Sequence, residues 1–160
     1  MANDQKVKDL MIPLEDYPHI PHWFTLRQAM AIIREAAVKC EGAFEPRAML
    51  VFDDKYQLMG ILTIRDIITG LEPSLVKKDP NLADFLGPNL KEHSQRLVSE
   101  VMSPIKATVD GNASIFEPLY PMIKENVGLM PVIRAGKVAG MIRFSDLFNE
   151  IAKVVLGDQA

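Results

Sequence analysis

The sequence predicts an α+β fold that consists of two copies of one strand–helix–strand–strand–helix unit. The main observation is a repeated heptad: residues 60–66 and 140–146 each run from a glycine through two aliphatic residues and a short polar turn to an aspartate. The two heptads lie 80 residues apart, and helical and strand patterns recur around them in the same order. Because a fixed internal period decides the architecture of a chain, we interpret this sequence as a tandem duplication.

Four further pairs of segments match between the copies, in one order along the chain. Both segments of one pair, residues 25–28 and 114–117, read as helix capping boxes, in which Ser or Thr precedes Glu or Gln by three positions. The matching segments are residues 9–13 with 100–104, 25–28 with 114–117, 48–52 with 129–133, and the turns 53–55 with 134–137.

In the first copy, apolar residues recur at i, i+3, i+4, i+7 and i+8, which predicts a helix with one buried face. Residues 48–52 predict a short buried strand, and residues 58–64 return as its hairpin partner. A second helix is predicted to begin near Ile67 and to end before Pro73, because proline does not continue a helix. The face of the first helix consists of Ala29, Ile32, Ile33, Ala36 and Ala37.

The second copy repeats this order with one departure. Pro118 and Pro121 lie inside its predicted first helix, and Pro121 is expected to bend or shorten that helix because an interior proline removes a backbone hydrogen bond. The apolar stripe of the last helix consists of Leu147, Phe148, Ile151, Ala152 and Val155.

The segment between the copies is rich in proline and predicts a connector. Residues 73–97 contain Pro73, Pro80 and Pro88, with a short helix predicted around residues 82–86. We therefore divide the chain into a first repeat at residues 1–72, this connector, and a second repeat at residues 98–160.

The composition excludes several classes of protein. A net charge of −3 and a pI near 5.6 argue against a nucleic-acid partner, which normally requires a basic face. No apolar run approaches the ~20 residues that span a bilayer, and residues 1–8 lack the apolar stretch of a signal peptide. The single cysteine, Cys40, forms no internal disulfide and fits a reducing compartment. We expect a soluble, cytoplasmic protein without a membrane partner.

The duplicated pattern resembles a tandem pair of cystathionine-β-synthase (CBS) domains, called a Bateman module, over residues 7–156. The two heptads carry the resemblance, together with the Met-x-Pro segments at Met11 and Met102 and the apolar strands at residues 50–52 and 130–133. The resemblance implies two βαββα repeats that pack about a pseudo-twofold axis, form a homodimer and bind an adenosine-containing ligand between the repeats. AMP, ADP, ATP and S-adenosylmethionine are the candidate ligands.

The resemblance also implies a regulatory role. Such modules modulate a partner protein, here unidentified, and they are not enzymes. We expect no catalytic residues, no metal site and no required cofactor. His19 and His22 form a His-x-x-His pair, but without a nearby Cys or acidic pair it falls short of established zinc spacings.

In the first heptad, Thr63 and Asp66 are the expected ligand-binding residues. The N-terminus of the following helix favours a phosphate, to which the Thr63 hydroxyl would donate. Asp66 would repel phosphate and is better suited to accept hydrogen bonds from the two ribose hydroxyls, while Arg65 would neutralise a second phosphate. The same residues are also a plain helix N-cap, which needs no ligand.

In the second heptad, Arg143 stands where the family has threonine. Ser145 would then have to supply the hydroxyl, while Asp146 remains for a ribose. An arginine here would bind phosphate directly or close the cleft. We therefore expect two unequal sites, and the alternative function is a ligand-independent dimerisation scaffold with closed clefts.

The resemblance places the adenine base against the strand that opens each repeat. The corresponding residues are His19 and Ile20 in the first copy, and Thr108 and Val109 in the second.

Overall fold

The segments that open the two sequence copies are exchanged between two structural units. The computed structural model describes residues 5–40, 48–76 and 89–157. Residues Pro18–Ile105 form one unit, called here the first unit because it holds the first heptad. Residues Met1–Tyr17 and Lys106–Ala160 form the other, called the second unit. Each heptad therefore lies in one unit with the Met-x-Pro segment of the other copy.

The elements follow the predicted order in each copy. In chain order they are α1 Val7–Leu10, β1 Ile12–Pro13, β2 His19–Pro21, α2 Leu26–Cys40, β3 Ala48–Phe52, β4 Leu58–Thr63, α3 Ile64–Leu71, α4 Asn89–His93, α5 Val98–Val101, β5 Val109–Asp110, α6 Leu119–Glu125, β6 Leu129–Arg134, β7 Lys137–Arg143 and α7 Phe144–Leu156, with 3₁₀ turns at Leu14–Asp16 and Pro73–Val76.

The first unit is built on a sheet of order β2-β3-β4. β2 runs parallel to β3, and β3 pairs antiparallel with β4, as the predicted hairpin requires. Its turn is held by Asp53, whose Oδ1 accepts the backbone N–H groups of Lys55 and Gln57 at 2.8 and 2.9 Å. One face of the sheet and the helices enclose an apolar core of Ile20, Leu26, Ala29, Ile33, Met49, Val51, Leu62, Ile67 and Val98.

The first helix of this unit begins as predicted. The backbone N–H of Thr25 donates to Oε1 of Gln28 at 2.8 Å, and the N–H of Gln28 donates to Oγ1 of Thr25 at 3.2 Å, so the capping box is confirmed. The side chains of Ala36 and Ala37 and the helix predicted around residues 82–86 lie outside the described residues.

The second unit is built on a sheet of order β1-β7-β6-β5. β1 and β6 both pair antiparallel with β7, and β5 runs parallel to β6. Ala135 and Gly136 connect β6 to β7 with φ of 52° and 77°, the two positive angles of a type I′ turn. The core of this unit contains Val7, Val109, Ile115, Met122, Met130, Val132, Ile142 and Leu147.

One helix start was predicted wrongly. Residues 115–118 form turns, and α6 begins only at Leu119, so Ser114 and Glu117 do not cap a helix. Pro118 precedes the helix and Pro121 lies in its first turn, where backbone N–H groups need no helical partner. The prolines therefore shorten this helix relative to α2 instead of bending it.

The predicted stripe of the last helix is only partly buried in the chain. Leu147 is fully buried in the core of the second unit, whereas Phe148 and Val155 are exposed on α7. Tyr120 and Ile123 are likewise exposed on α6. The second unit thus presents large apolar side chains on both of its longer helices.

Candidate functional site

The first heptad forms a reciprocally capped helix start. β4 ends at Thr63, and α3 begins at the next residue. Oγ1 of Thr63 accepts the backbone N–H of Asp66 at 3.0 Å, and Oδ2 of Asp66 accepts the N–H of Thr63 at 2.9 Å. The capping interpretation of these residues is confirmed, and it fixes the Asp66 carboxylate at the N-terminus of α3.

A residue that the sequence analysis did not single out holds the same carboxylate. The hydroxyl of Ser103 lies 2.9 and 3.0 Å from the two carboxylate oxygens of Asp66 and donates to them. Ser103 reaches this position because its backbone N–H and C=O pair with those of Ile61 on β4, at 2.8 and 2.9 Å. Its only sequence signal is its place in the Met-x-Pro segment, where the first copy has Ile12.

The heptad glycines admit a close approach of the protein's own chain. A Cβ on Gly60 would lie 2.7 Å from the backbone oxygen of Ser103 and 2.8 Å from Sδ of Met102. A Cβ on Gly140 would collide with the backbone oxygen of Ile12. In both units the glycine lies where a Met-x-Pro segment pairs antiparallel with the second strand of the hairpin.

In the second heptad, an ion pair replaces the hydroxyl contacts. Nε of Arg143 donates to Oδ2 of Asp146 at 2.9 Å, and Nη2 donates to Oδ1 at 2.7 Å. The side chains are 27% and 16% exposed, so the pair is largely shielded from water. The hydrogen bond to Asp146 raises the pKa of Arg143, which stays charged. Ser145 is exposed in the first turn of α7.

Tyr17 is a second neighbour of Arg143 that the sequence analysis missed. Its side chain is 3% exposed, and burial raises the pKa of its phenol well above the ordinary value. The positive charge of Arg143 acts in the opposite direction on the pKa of Tyr17, with a smaller effect than burial.

The residues expected to contact an adenine base have different environments. Ile20 and Val109 are buried, and their side chains belong to the apolar cores of their units. Thr108 is exposed just before β5, and Arg65 is exposed in the first turn of α3. Of the four base-contact candidates, His19 and Thr108 therefore keep side chains outside the cores.

His19 lies in an aromatic cluster near the hairpin turn of the first unit. Its Nε2 and the Tyr56 hydroxyl are hydrogen-bonded at 3.0 Å. Its ring packs edge-to-face with that of Phe52, with the two ring centroids 5.7 Å apart. The strand register pairs His19 with Leu50 and Leu50 with Ile61. Thr63 is thus two strands across from His19 and two residues further along β4, which separates the two Cα atoms by roughly 12 Å. The structure joins Thr63 with Asp66 and Arg143 with Asp146, and within the first unit His19 lies away from the Thr63–Asp66 pair.

The described residues contain neither a metal cluster nor a membrane-spanning helix. Over residues 5–40, 48–76 and 89–157, no three His, Cys, Asp or Glu side chains are grouped so that they could hold a metal ion. His22 instead contacts Asp54, with Nε2 and Oδ1 3.1 Å apart. Within those same ranges, every helix is too short or too polar to cross a bilayer.

Comparison with known proteins agrees with the duplicated fold. The family model described as "CBS domain" matches twice, at residues 7–72 and 98–153, which together make up more than half of the chain. A curated relative, the uncharacterized protein YlbB of Bacillus subtilis (strain 168), is 25% identical over 158 residues that cover 96% of this chain and 90% of YlbB.

Solved structures share the fold at lower identity. The CBS-pair protein CBSX2 from Arabidopsis thaliana has a TM-score of 0.70 at 17% identity, covering 97% of this chain and 98% of its own. CBSX2 in complex with AMP has a TM-score of 0.67 at 17% identity, covering 94% and 98%. The cytosolic domain of the Mg²⁺ channel MgtE in complex with ATP has a TM-score of 0.64 at 21% identity. The alignment covers 91% of this chain but 48% of the MgtE domain, so the chain spans about half of that structure. The predicted α+β fold of two repeats is confirmed.

Proposed function

Since this chain belongs to the CBS domain family, which matches it at residues 7–72 and 98–153, we propose that it is a regulatory module that binds an adenosine-containing ligand at its heptads. The observation that carries the proposal is the Asp66 carboxylate, which is fixed at the N-terminus of α3 beside the Thr63 hydroxyl. The complexes of CBSX2 with AMP and of MgtE with ATP support an adenine nucleotide as the ligand class.

The capping bonds of the first unit are compatible with a nucleotide. The Thr63 oxygen accepts the N–H of Asp66, and a hydroxyl that accepts one bond still has its own O–H to donate. A phosphate at the N-terminus of α3 would receive that O–H together with backbone N–H groups of the first turn. Capping and phosphate binding therefore use different atoms of the same residues.

The Asp66 carboxylate also has acceptor capacity for a ribose. A carboxylate offers about four lone-pair sites, and the N–H of Thr63 and the hydroxyl of Ser103 use only part of them. Ribose hydroxyls would either share the carboxylate with Ser103 or replace it. In both cases ligand binding acts on Ser103, which lies two residues before the end of the first unit at Ile105.

The exposed apolar side chains of α6 and α7 support the proposal of a homodimer. Tyr120, Ile123, Phe148 and Val155 each have more than half of their surface exposed in the single chain. Contiguous exposed apolar surface on a helix pair is typical of protein–protein contacts. In a regulatory module, a ligand can shift the equilibrium between two arrangements of such a contact, provided that the ligand binds the two arrangements with different affinities.

A ligand-independent dimerisation scaffold is the second candidate function. The observation that favours it is the Arg143–Asp146 ion pair, which occupies both carboxylate oxygens of the second heptad with a protein side chain. If Asp66 were also unavailable to ligands, the heptads would serve the fold alone.

Isothermal titration with AMP, ADP, ATP and S-adenosylmethionine separates the two functions. A sensor binds at least one of them, and Asp66→Ala weakens that binding by about 30- to 150-fold, because a charged acceptor is worth about 2–3 kcal/mol. Asp54→Ala, which removes a carboxylate at the exposed hairpin turn of the same unit, leaves the affinity unchanged.

Thermal unfolding provides an independent check. A ligand at 100 times its dissociation constant adds about 2.7 kcal/mol to the stability of a chain that binds it. Asp66→Asn, which keeps an oxygen for the N–H of Thr63, controls for loss of the helix cap in Asp66→Ala. Absence of both heat and thermal stabilisation with all four compounds would leave the scaffold function.

A further inference from the structure

The two heptads hold their carboxylates with different kinds of donor. Asp66 receives neutral donors, the backbone N–H of Thr63 and the hydroxyl of Ser103. Asp146 receives a charged, two-pronged donor, the guanidinium of Arg143, at 2.9 and 2.7 Å. Ile12 occupies the position that Ser103 has in the other copy, and it offers no hydroxyl. The second unit therefore fixes its carboxylate through a full positive charge.

This difference changes which chemical groups a ligand needs in order to bind at the second heptad. A ribose diol that takes both oxygens of Asp146 displaces Arg143, and a largely shielded cation is then left without its anion. A phosphate that binds Arg143 in place of Asp146 likewise leaves the Asp146 carboxylate without its cation. Separating a shielded pair is unfavourable unless each member finds a new partner. A nucleoside phosphate carries both partners, the diol for Asp146 and the phosphate for Arg143.

The neighbouring groups favour Arg143 as the phosphate contact in this unit. The first N–H group of α7, that of Phe144, donates to the backbone oxygen of Gly128 at 2.9 Å, so it is engaged within the protein. Guanidinium binds phosphate through two parallel hydrogen bonds, the same geometry that it has with Asp146. Arg143 can therefore exchange one two-pronged anion for another.

We infer that Arg143 makes binding at the second heptad dependent on a ligand phosphate, whereas the first heptad binds the nucleoside part with a smaller phosphate requirement. The inference rests on the proposed function, because it assumes that Asp66 and Asp146 receive ribose hydroxyls. It assigns nucleoside phosphates to the second unit and rejects adenosine and S-adenosylmethionine there. Arg143 acts as a specificity-determining residue that couples recognition of the sugar to recognition of the anion.

Titration of the intact chain with AMP and with adenosine tests this inference. Asp146→Ala isolates the first heptad, and Asp66→Ala isolates the second. The ratio of the adenosine to the AMP dissociation constant is expected to be larger at the second heptad by about tenfold or more, the value of one charged hydrogen bond or more. S-adenosylmethionine is expected to bind at the first heptad only.

The first heptad shows which substitutions should remove the phosphate requirement of the second. Arg143→Thr combined with Ile12→Ser gives the second heptad the residues of the first. In the Asp66→Ala chain, this double substitution should lower the ratio of the adenosine to the AMP dissociation constant to that of the first heptad. Urea unfolding verifies that each variant is folded. Titration of the unaltered chain with the two ligands provides a comparison that requires no substitution at the Arg143–Asp146 ion pair.

The possible outcomes are distinct. Equal ratios at the two heptads, or loss of all AMP binding in Asp66→Ala, would overturn the role of Arg143 while leaving the sensor function in place. Failure of adenosine, AMP, ADP, ATP and S-adenosylmethionine to bind at either heptad would overturn the proposed function itself.

Discussion

A Cβ atom on Gly60 would stand 2.7 Å from the backbone oxygen of Ser103. The equivalent glycine of the second heptad, Gly140, has the same relationship with the backbone oxygen of Ile12. The glycine of one sequence copy and the Met-x-Pro segment of the other therefore form one structural feature in each unit. The segment pairs with the hairpin strand beside a residue that has no side chain, so the two backbones can approach closely.

Alanine at either heptad glycine should destabilise the fold. Gly60→Ala and Gly140→Ala place a methyl group against backbone oxygen, which cannot move aside as a flexible side chain can. We expect each to lower the free energy of unfolding by about 1–3 kcal/mol, the usual effect of overpacking, as measured by urea denaturation. Gly128→Ala is the matched control, because a Cβ there meets nothing within 4 Å. The close approach of the two backbones would lose its structural importance if all three variants unfolded alike.

The buried phenol of Tyr17 should make the fold sensitive to alkali. Burial raises the pKa of Tyr17 in the folded state, while an unfolded tyrosine titrates near pH ~10. Below that pH both states are protonated and the phenol contributes no pH dependence. Above it the unfolded state releases the proton and the folded state retains it, so stability falls by up to about 1.4 kcal/mol per pH unit.

Tyr17→Phe removes this titrating group and retains the buried ring. In urea denaturation at several pH values, the difference in unfolding free energy between Tyr17→Phe and the unaltered chain should be constant from about pH 7 to 9. It should then shift in favour of Tyr17→Phe above about pH 10. Parallel stability curves over the whole range would show that the phenol titrates normally.

The features predicted correctly from the sequence are those specified by residues close together in the chain. The Thr63 cap depends on a partner three positions away, and the turn at Ala135 and Gly136 depends on adjacent residues. The partner of Arg143 is also three positions away, but the sequence does not decide whether the guanidinium binds Asp146 or points into solvent.

Three features required the structure because competing or distant interactions determine them. Ser114 and Glu117 carry a capping signal, but Pro118 and Pro121 fit only where helical N–H groups are dispensable, so the helix begins later. The donor to Asp66, Ser103, lies 37 residues along the chain, and no spacing rule connects the two. The exchange of the Met-x-Pro segments between units, which brings Ser103 to β4, likewise cannot be read from the repeat alone.

The Ser103–Asp66 contact should be measurable as a coupling energy. Ser103→Ala removes the hydroxyl donor from a partly buried carboxylate, and we expect the free energy of unfolding to fall by about 1–2 kcal/mol. Ser145→Ala, on the exposed surface of α7, is the control and should change it by less than about 0.5 kcal/mol.

A double-mutant cycle then distinguishes the hydrogen bond from the cap that Asp66 also forms. If the hydroxyl acts through the carboxylate, Ser103→Ala has little further effect in the Asp66→Ala chain, and the two substitutions couple by about 1 kcal/mol or more. Additive effects would mean that the Ser103 hydroxyl contributes to stability independently of the Asp66 carboxylate. In that case a ribose at Asp66 would have no hydroxyl to displace, and ligand binding would have no route through Ser103 to the end of the first unit.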